Sequence, residues 1–384
     1  MMSLRAPLFG LALALGLGVS QAAMAAEPII LEAPGGLATL AITAAPGGGF
    51  ALVAQELTSY SGGTDPKVHV FRYEANGSLR WKRLIDRRGP QIARAITYGP
   101  GEILYVVGLD GSELTENGYQ SMFVAIGPRG DVLEDETFGL PAPAEDFLSG
   151  IGLTQGGDLI AAGRIKRTPE GTADMEVMRL SPTGDALWTS RSVRNGSKES
   201  YPLVASGQAG TYIGGTYENR RVFVSRVDPA TGELEDFAGF STPRRSAISQ
   251  MSVLPDGGIL LAINLSHGDN EAHLVRISGG GSVMWDRKLA GNANIADFTR
   301  MPNGLIVVAG TSDDNETLTA NAWLRAYDET GEFVGEILPD TTGETRAGGV
   351  TVDGPSGVFF AYSPISDSIP ARPVPVIVER IRVE

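Results

Sequence analysis

VHVFRYEANG, residues 68–77, is a β-rich run that carries an arginine near its end and then turns on a glycine. The pattern returns as MEVMRLSPTG (175–184), FVSRVDPATG (223–232), HLVRISGGG (273–281) and AWLRAYDETG (322–331). Arg72, Arg179, Arg226, Arg276 and Arg325 hold matching places in these copies. Two degenerate copies complete the series: SMFVAIGPRG (121–130) has Ala125 at the arginine position, and VIVERIRVE (376–384) supplies Arg380. Successive positions are 47 to 55 residues apart, and the count is seven.

A second marker gives the same count. A glycine-rich turn precedes a β-branched run in PGGGFALVA (46–54), GPGEILYVVG (99–108), QGGDLIAAG (155–163), GQAGTYIGG (207–215), PDGGILLAI (255–263), PNGLIVVAG (302–310) and GPSGVFFAY (354–362). Glycine before a strand supplies the positive φ of tight hairpins. Each unit reads as strand A, Gly turn, strand B, variable loop, strand C, Gly turn, strand D. No amphipathic helical period competes with this pattern. The fold class is therefore all-β: a seven-bladed β-propeller of four-stranded antiparallel blades. Each blade is apolar on both faces and buries them only against its neighbours, so the ring must close. The seventh unit has strands A, B and C but no D, whereas Pro28–Glu32 (PIILE) is a spare strand before the first unit. An N-terminal strand is expected to complete the last blade.

Residues 1–25 have the layout of a signal peptide. Arg5 is followed by the apolar run Leu8–Val19 and by Ala23-Met24-Ala25, with cleavage expected before Ala26 and residues 26–384 forming one propeller domain. The apolar run is too short to span a bilayer, which takes about 20 residues, and no transmembrane segment is expected. Localisation is then periplasmic or secreted. The chain carries a net charge of −14 and no cysteine. That excludes disulfides, Cys-ligated zinc and a thiol nucleophile, and it lacks the basic footprint of a nucleic-acid binder.

The elements Gly77-Ser-Leu-Arg-Trp81, Gly184-Asp-Ala-Leu-Trp188 and Gly281-Ser-Val-Met-Trp285 repeat a Gly-x-x-x-Trp pattern. Asp228-Pro-Ala-Thr-Gly232 and Asp328-Glu-Thr-Gly331 add an Asp-x(x)-Thr-Gly turn. Together they resemble the tryptophan-docking repeats of the quinoprotein-like (PQQ-like) bacterial β-propellers, which include outer-membrane assembly propellers. The resemblance implies a ring with tryptophans docked between blades, and it carries no cofactor residue onto this chain.

The repeated arginines are expected to bridge blade to blade, and the tryptophans to pack there. His69, inside a C strand, reads as structural. Asp269, Glu271, Asp313 and Asp314 lie in or beside oxygen-rich loops and are the candidate ligands for a metal, calcium being the ion such oxygens suit. Binding is expected on the face carrying the variable B–C loops and D–A connections. The D–A connections bring Arg87, Arg88, Glu145, Asp146, Lys198, Glu199, Arg244, Arg245, Glu344 and Arg346 to the mouth of the ring. Mixed charge of that kind suits a protein or a polar extracytoplasmic ligand. The reading is a monomeric, non-catalytic binding scaffold without a predicted cofactor. The alternative is a propeller enzyme (lyase, hydrolase or lactonase-like) with a central-channel site, and a quinone-dependent dehydrogenase ranks last.

Overall fold

The computed structural model describes residues 27–34, 36–57, 66–111, 119–139, 145–166, 173–192, 201–266, 270–314, 319–339, 343–365 and 374–383. The expected signal peptide, Lys198, Glu199 and Asp269 lie outside them. The described residues form seven four-stranded antiparallel sheets. Blades 1 to 6 are contiguous in the chain: Leu37–Ile85, Gln91–Phe138, Glu145–Ser192, Leu203–Ser241, Arg245–Lys288 and Ala293–Ile337. Blade 7 takes its first three strands from Thr345–Arg382 and its outer strand from β1, Ile29–Leu31. Strand β1 pairs with the last strand in the register Ile29↔Val378, Ile30↔Ile377, Leu31↔Val376. The expected closure is the one observed.

The first strand of each blade touches the first strands of both neighbours, so the A strands form the inner ring. The sequence dictates this order. B strands such as Phe50–Glu56 and Leu104–Asp110 are buried along nearly their whole length, as continuous apolar runs must be. D strands such as Leu79–Ile85 alternate between exposed and half-buried positions, with one face to solvent. The core lies between blades. Leu31 and Ile29 join Phe50, Phe71 and Tyr73 of blade 1, so β1 completes one blade and packs on the next. No helix among the described residues is long and apolar enough to cross a membrane.

Tryptophans of three D strands dock on the following blade. Trp81 Nε1 donates to Pro128 O (3.2 Å), and Trp188 Nε1 to Pro229 O (2.9 Å). Gly232 shows why the turn needs glycine: its φ is +76°, and a Cβ there would stand 2.8 Å from the Trp188 ring.

The repeated arginines behave differently from expectation. Arg179 Nε reaches Asp158 Oδ2 (2.9 Å), Arg276 pairs with Asp256 and Arg380 with Asp353, in each case the acid of the A–B turn of the same blade. Arg72 and Arg226 donate to carbonyls of their own A–B turns, Gly48 O (3.1 Å) and Ala209 O (3.4 Å). These arginines fasten turns within blades. Among the described residues, Arg179 alone of these five also crosses to the next blade, at Pro229 O (2.7 Å). Arg325 is not their equivalent. Tyr327 pairs with Phe333 as Ile277 pairs with Val283, so Ala326 holds the repeat position and Arg325 faces the other way. There it lies over Trp323 (4.2 Å) and donates to Glu336 and to Ala290 O of the preceding connection.

Candidate functional site

Every A strand starts on the face of the ring that carries the B–C loops and D–A connections. In five blades a backbone N–H at the start of the A strand ties the blade to the B–C segment of the one before. Leu37 donates to Val374 O (2.7 Å), Gln91 to Pro66 O (3.2 Å), Asp146 to Tyr119 O (2.8 Å), Ser246 to Asn219 O (2.8 Å) and Ala293 to Asn270 O (3.3 Å). Two or three residues further on, an extra residue bulges from the inner strand in six blades: Leu40, Arg94, Ser149, Ser249, Ala296 and Gly348. A bulge re-aims the strand and its side chain.

Of the charged residues read from the sequence, two are committed to the scaffold. Arg87 Nη1 binds the buried Asp110 (2.7 Å) and its Nη2 binds Asp135, which clamps the first D–A connection to blade 2. Arg244 pairs with Glu271 in strand C of blade 5. Glu271 also takes Lys288 Nζ (2.9 Å). The hydrogen bond from Lys288, followed by that from Arg244, holds its carboxyl down at about 2. Asp146 is buried, and Glu145 starts the A strand of blade 3. Glu344 is half-buried, and its carbonyl accepts Ile365 N–H (2.8 Å).

Arg88, Arg245 and Arg346 stand apart. All three are exposed, Arg88 in the connection before an A strand and Arg245 and Arg346 at the starts of theirs, and they make no side-chain hydrogen bond or ion pair among the described residues. A fourth cation joins them that sequence reading missed. Arg94, the bulge residue of blade 2, is exposed and lies over the Tyr201 ring (4.9 Å). Tyr201 is 47% exposed and packs in turn on Phe147 (5.2 Å between ring centroids). The break in alternation at Gln91-Ile-Ala-Arg-Ala, caused by the bulge, was the only signal for Arg94 in the sequence.

Among the described residues no three His, Cys, Asp or Glu side chains group as a metal site. Cations occupy Glu271, Asp313 Oδ2 accepts Asn270 Nδ2 (3.0 Å), and His273 Nδ1 turns to Asp286 (2.6 Å). Asp314 lies in the last position of its strand. His69 is structural, with Nε2 on Glu56 (2.8 Å).

Deeper in the ring sits Asp297, in the inner strand of blade 6. Its Oδ1 accepts Gln250 Nε2 of blade 5 (2.7 Å) and Phe298 N–H (2.8 Å), and its Oδ2 accepts Val350 N–H of blade 7 (3.0 Å). Burial pushes this carboxyl up to about 6, against the pull of the three donors. One side chain therefore staples three blades.

No family model matches the chain. No curated protein matches it. Solved structures do. A Dyadobacter fermentans protein of unknown function aligns over 93% of this chain and 98% of its own, with a TM-score of 0.55 at 9% identity. The C-terminal WD40 domain of Sif2 aligns over 92% and 97%, with a TM-score of 0.50 at 9% identity. The Pyrococcus horikoshii acylaminoacyl peptidase aligns over 91% of this chain, with a TM-score of 0.53 at 11% identity, and this chain spans about half of it (52%). Such likenesses show the fold alone.

Proposed function

We propose that this propeller is an exported, non-catalytic binding scaffold. It captures a protein or other polar ligand on the face where the A strands begin. One observation carries the reading: in a chain of net charge −14, the arginines Arg88, Arg94, Arg245 and Arg346 stand exposed at that face without a carboxylate partner among the described residues. The arginines of the repeat, by contrast, are spent on turn acids and carbonyls, as Arg72, Arg179, Arg276 and Arg380 show. Unpaired charge on a rigid rim steers and orients a partner while contributing little to folding. Asp297, the carboxyl moved furthest toward neutral pH, is held by three protein donors, which suits a staple better than a catalyst.

Export rests on the order of charge, apolar run and small residues in 1–25, and the mature chain is proposed to begin at Ala26, with N-terminal sequencing as the check. The binding test is the triple change Arg88→Glu, Arg245→Glu and Arg346→Glu. Capture of the partner by the purified protein from its native compartment is expected to be lost while the melting curve stays that of the parent. Undiminished capture would move the site off this face.

A further inference from the structure

Three D-strand tryptophans hold equivalent places, yet they do not end alike. Trp81 and Trp188 each give their indole N–H to a proline carbonyl in the next blade's C–D turn. Trp285 packs against the next blade in the same way, its ring 3.1 Å from where a Cβ of Gly331 would stand. Its N–H, however, has no hydrogen-bond partner among the described residues. The turn it faces also differs in sequence. Where blade 2 has Pro128 and blade 4 has Pro229, blade 6 has Glu329. Arg300, at the end of the blade 6 inner strand, pairs with the Glu329 carboxylate.

A cavity of about 400 Å³ opens at this junction, on the short-turn face of the ring, between blades 5 and 6. Trp285 and Met284 line it with Arg276, Asp256, Arg300 and Glu329, and Leu254 and Ile306 supply an apolar wall. The charged groups form two ion pairs, Arg276–Asp256 and Arg300–Glu329. The cavity is therefore neutral while holding both donors and acceptors. The two carboxylates are 62% and 64% exposed, which leaves lone pairs for a ligand. Met284 is 62% exposed as well.

The geometry points to a saccharide site in the cavity between blades 5 and 6, sized for a mono- or disaccharide. A bound anion would use only the arginines and a cation only the acids. Hydroxyl groups donate and accept alike, and they match a wall of guanidinium, carboxylate and indole N–H. The volume falls in the range of small-molecule pockets, about 300–1,000 Å³. The aliphatic wall and the Met284 side chain serve the C–H faces of the sugar. The site is on the opposite face from the unpaired arginines, so it stands or falls independently of the binding role proposed above.

The test uses the whole mature protein, labelled with ¹⁵N, titrated with cellobiose, maltose and N,N′-diacetylchitobiose, with inorganic phosphate as the charged control. The Trp285 indole N–H resonance is one of four, and Trp285→Phe assigns it by its disappearance. A saturable shift of that resonance by at least one saccharide, and not by phosphate, is expected. Trp285→Phe is expected to weaken binding, followed by ligand-observed saturation transfer. Glu329→Pro, which restores the turn of blades 2 and 4, is expected to weaken it roughly ten-fold, about 1.4 kcal/mol. Should Glu329→Pro fail to fold, Glu329→Ala takes its place with the same expected loss. Overturning results are no saturable shift with any of the three sugars, a shift with phosphate alone, or variants that bind as the parent does.

Discussion

Removing residues 27–33 takes away β1 and leaves the last strand of blade 7 as an unpaired edge. The loss has two parts. Backbone pairing at Ile29, Ile30 and Leu31 disappears, and so does the wedge those side chains drive into blade 1. Leu31 is 2% exposed and touches the cluster of Phe50, Phe71 and Tyr73, whereas Ile30 is 57% exposed. Truncating a fully buried leucine to alanine costs about 2–5 kcal/mol. Ile29, half-buried above Gly77 (3.8 Å from its Cδ1 to a Cβ there), adds about 1 kcal/mol of burial. Against a total stability of roughly 5–15 kcal/mol, the deletion removes a large share and bares an edge that recruits other chains. Leu31→Ala is accordingly expected to lower the melting temperature clearly, Ile30→Ala to leave it within a degree or so, and the deletion to melt lowest and to aggregate. Circular dichroism melts with size-exclusion chromatography read all three. A deletion variant that melts like the parent and stays monomeric would refute closure through β1; equal losses at positions 30 and 31 would refute the assigned facing.

Arg244→Glu is expected to destabilise the ring, since it sets a carboxylate against Glu271, whereas Arg245→Glu one residue away should melt like the parent; comparing the two melts checks which of the neighbours belongs to the scaffold. For Gly232→Ala, the positive φ and the Trp188 ring 2.8 Å from the new methyl predict a cost of about 1–3 kcal/mol, read by urea titration. Asp297 makes stability depend on pH. Its folded pKa, about 6, lies above the ordinary aspartate value of 3.8, so the stabilisation it contributes is complete below about pH 4 and is lost as pH rises through 6. The parent should then lose about 3 kcal/mol from this group between pH 4 and 7, and Asp297→Asn should flatten that part of the profile; parallel slopes would show that the carboxyl titrates normally.

Much of this was legible in the chain. Glycine turns before β-branched runs gave the number of blades because tight hairpins demand positive φ, and PIILE announced the missing strand. Partner choice was less accessible. The arginine of the repeat recurs in most copies, but its reach lies at right angles to the strand, and whether it meets its own turn or the next blade depends on where an acid such as Asp158 or Asp256 stands. Arg325 shows the sharpest limit: a one-residue difference in register turns a side chain to the other face. Arg87 and Arg244 looked like free rim charges because their acids, Asp110 and Glu271, come from other strands of the following blade. Arg94 and Tyr201 were hidden by a bulge and by an aromatic residue outside any repeat.

Capture of a ligand by the face where the inner strands begin is read by site-specific photo-crosslinking in the native compartment. A crosslinking residue placed at Arg245 or Arg346 is compared with one at Arg129, in a short C–D turn of the opposite face. One discrete adduct is expected from positions 245 and 346, competed away by excess unlabelled propeller, and none from position 129. Adducts from position 129 alone, or the same adducts from all three, would contradict it.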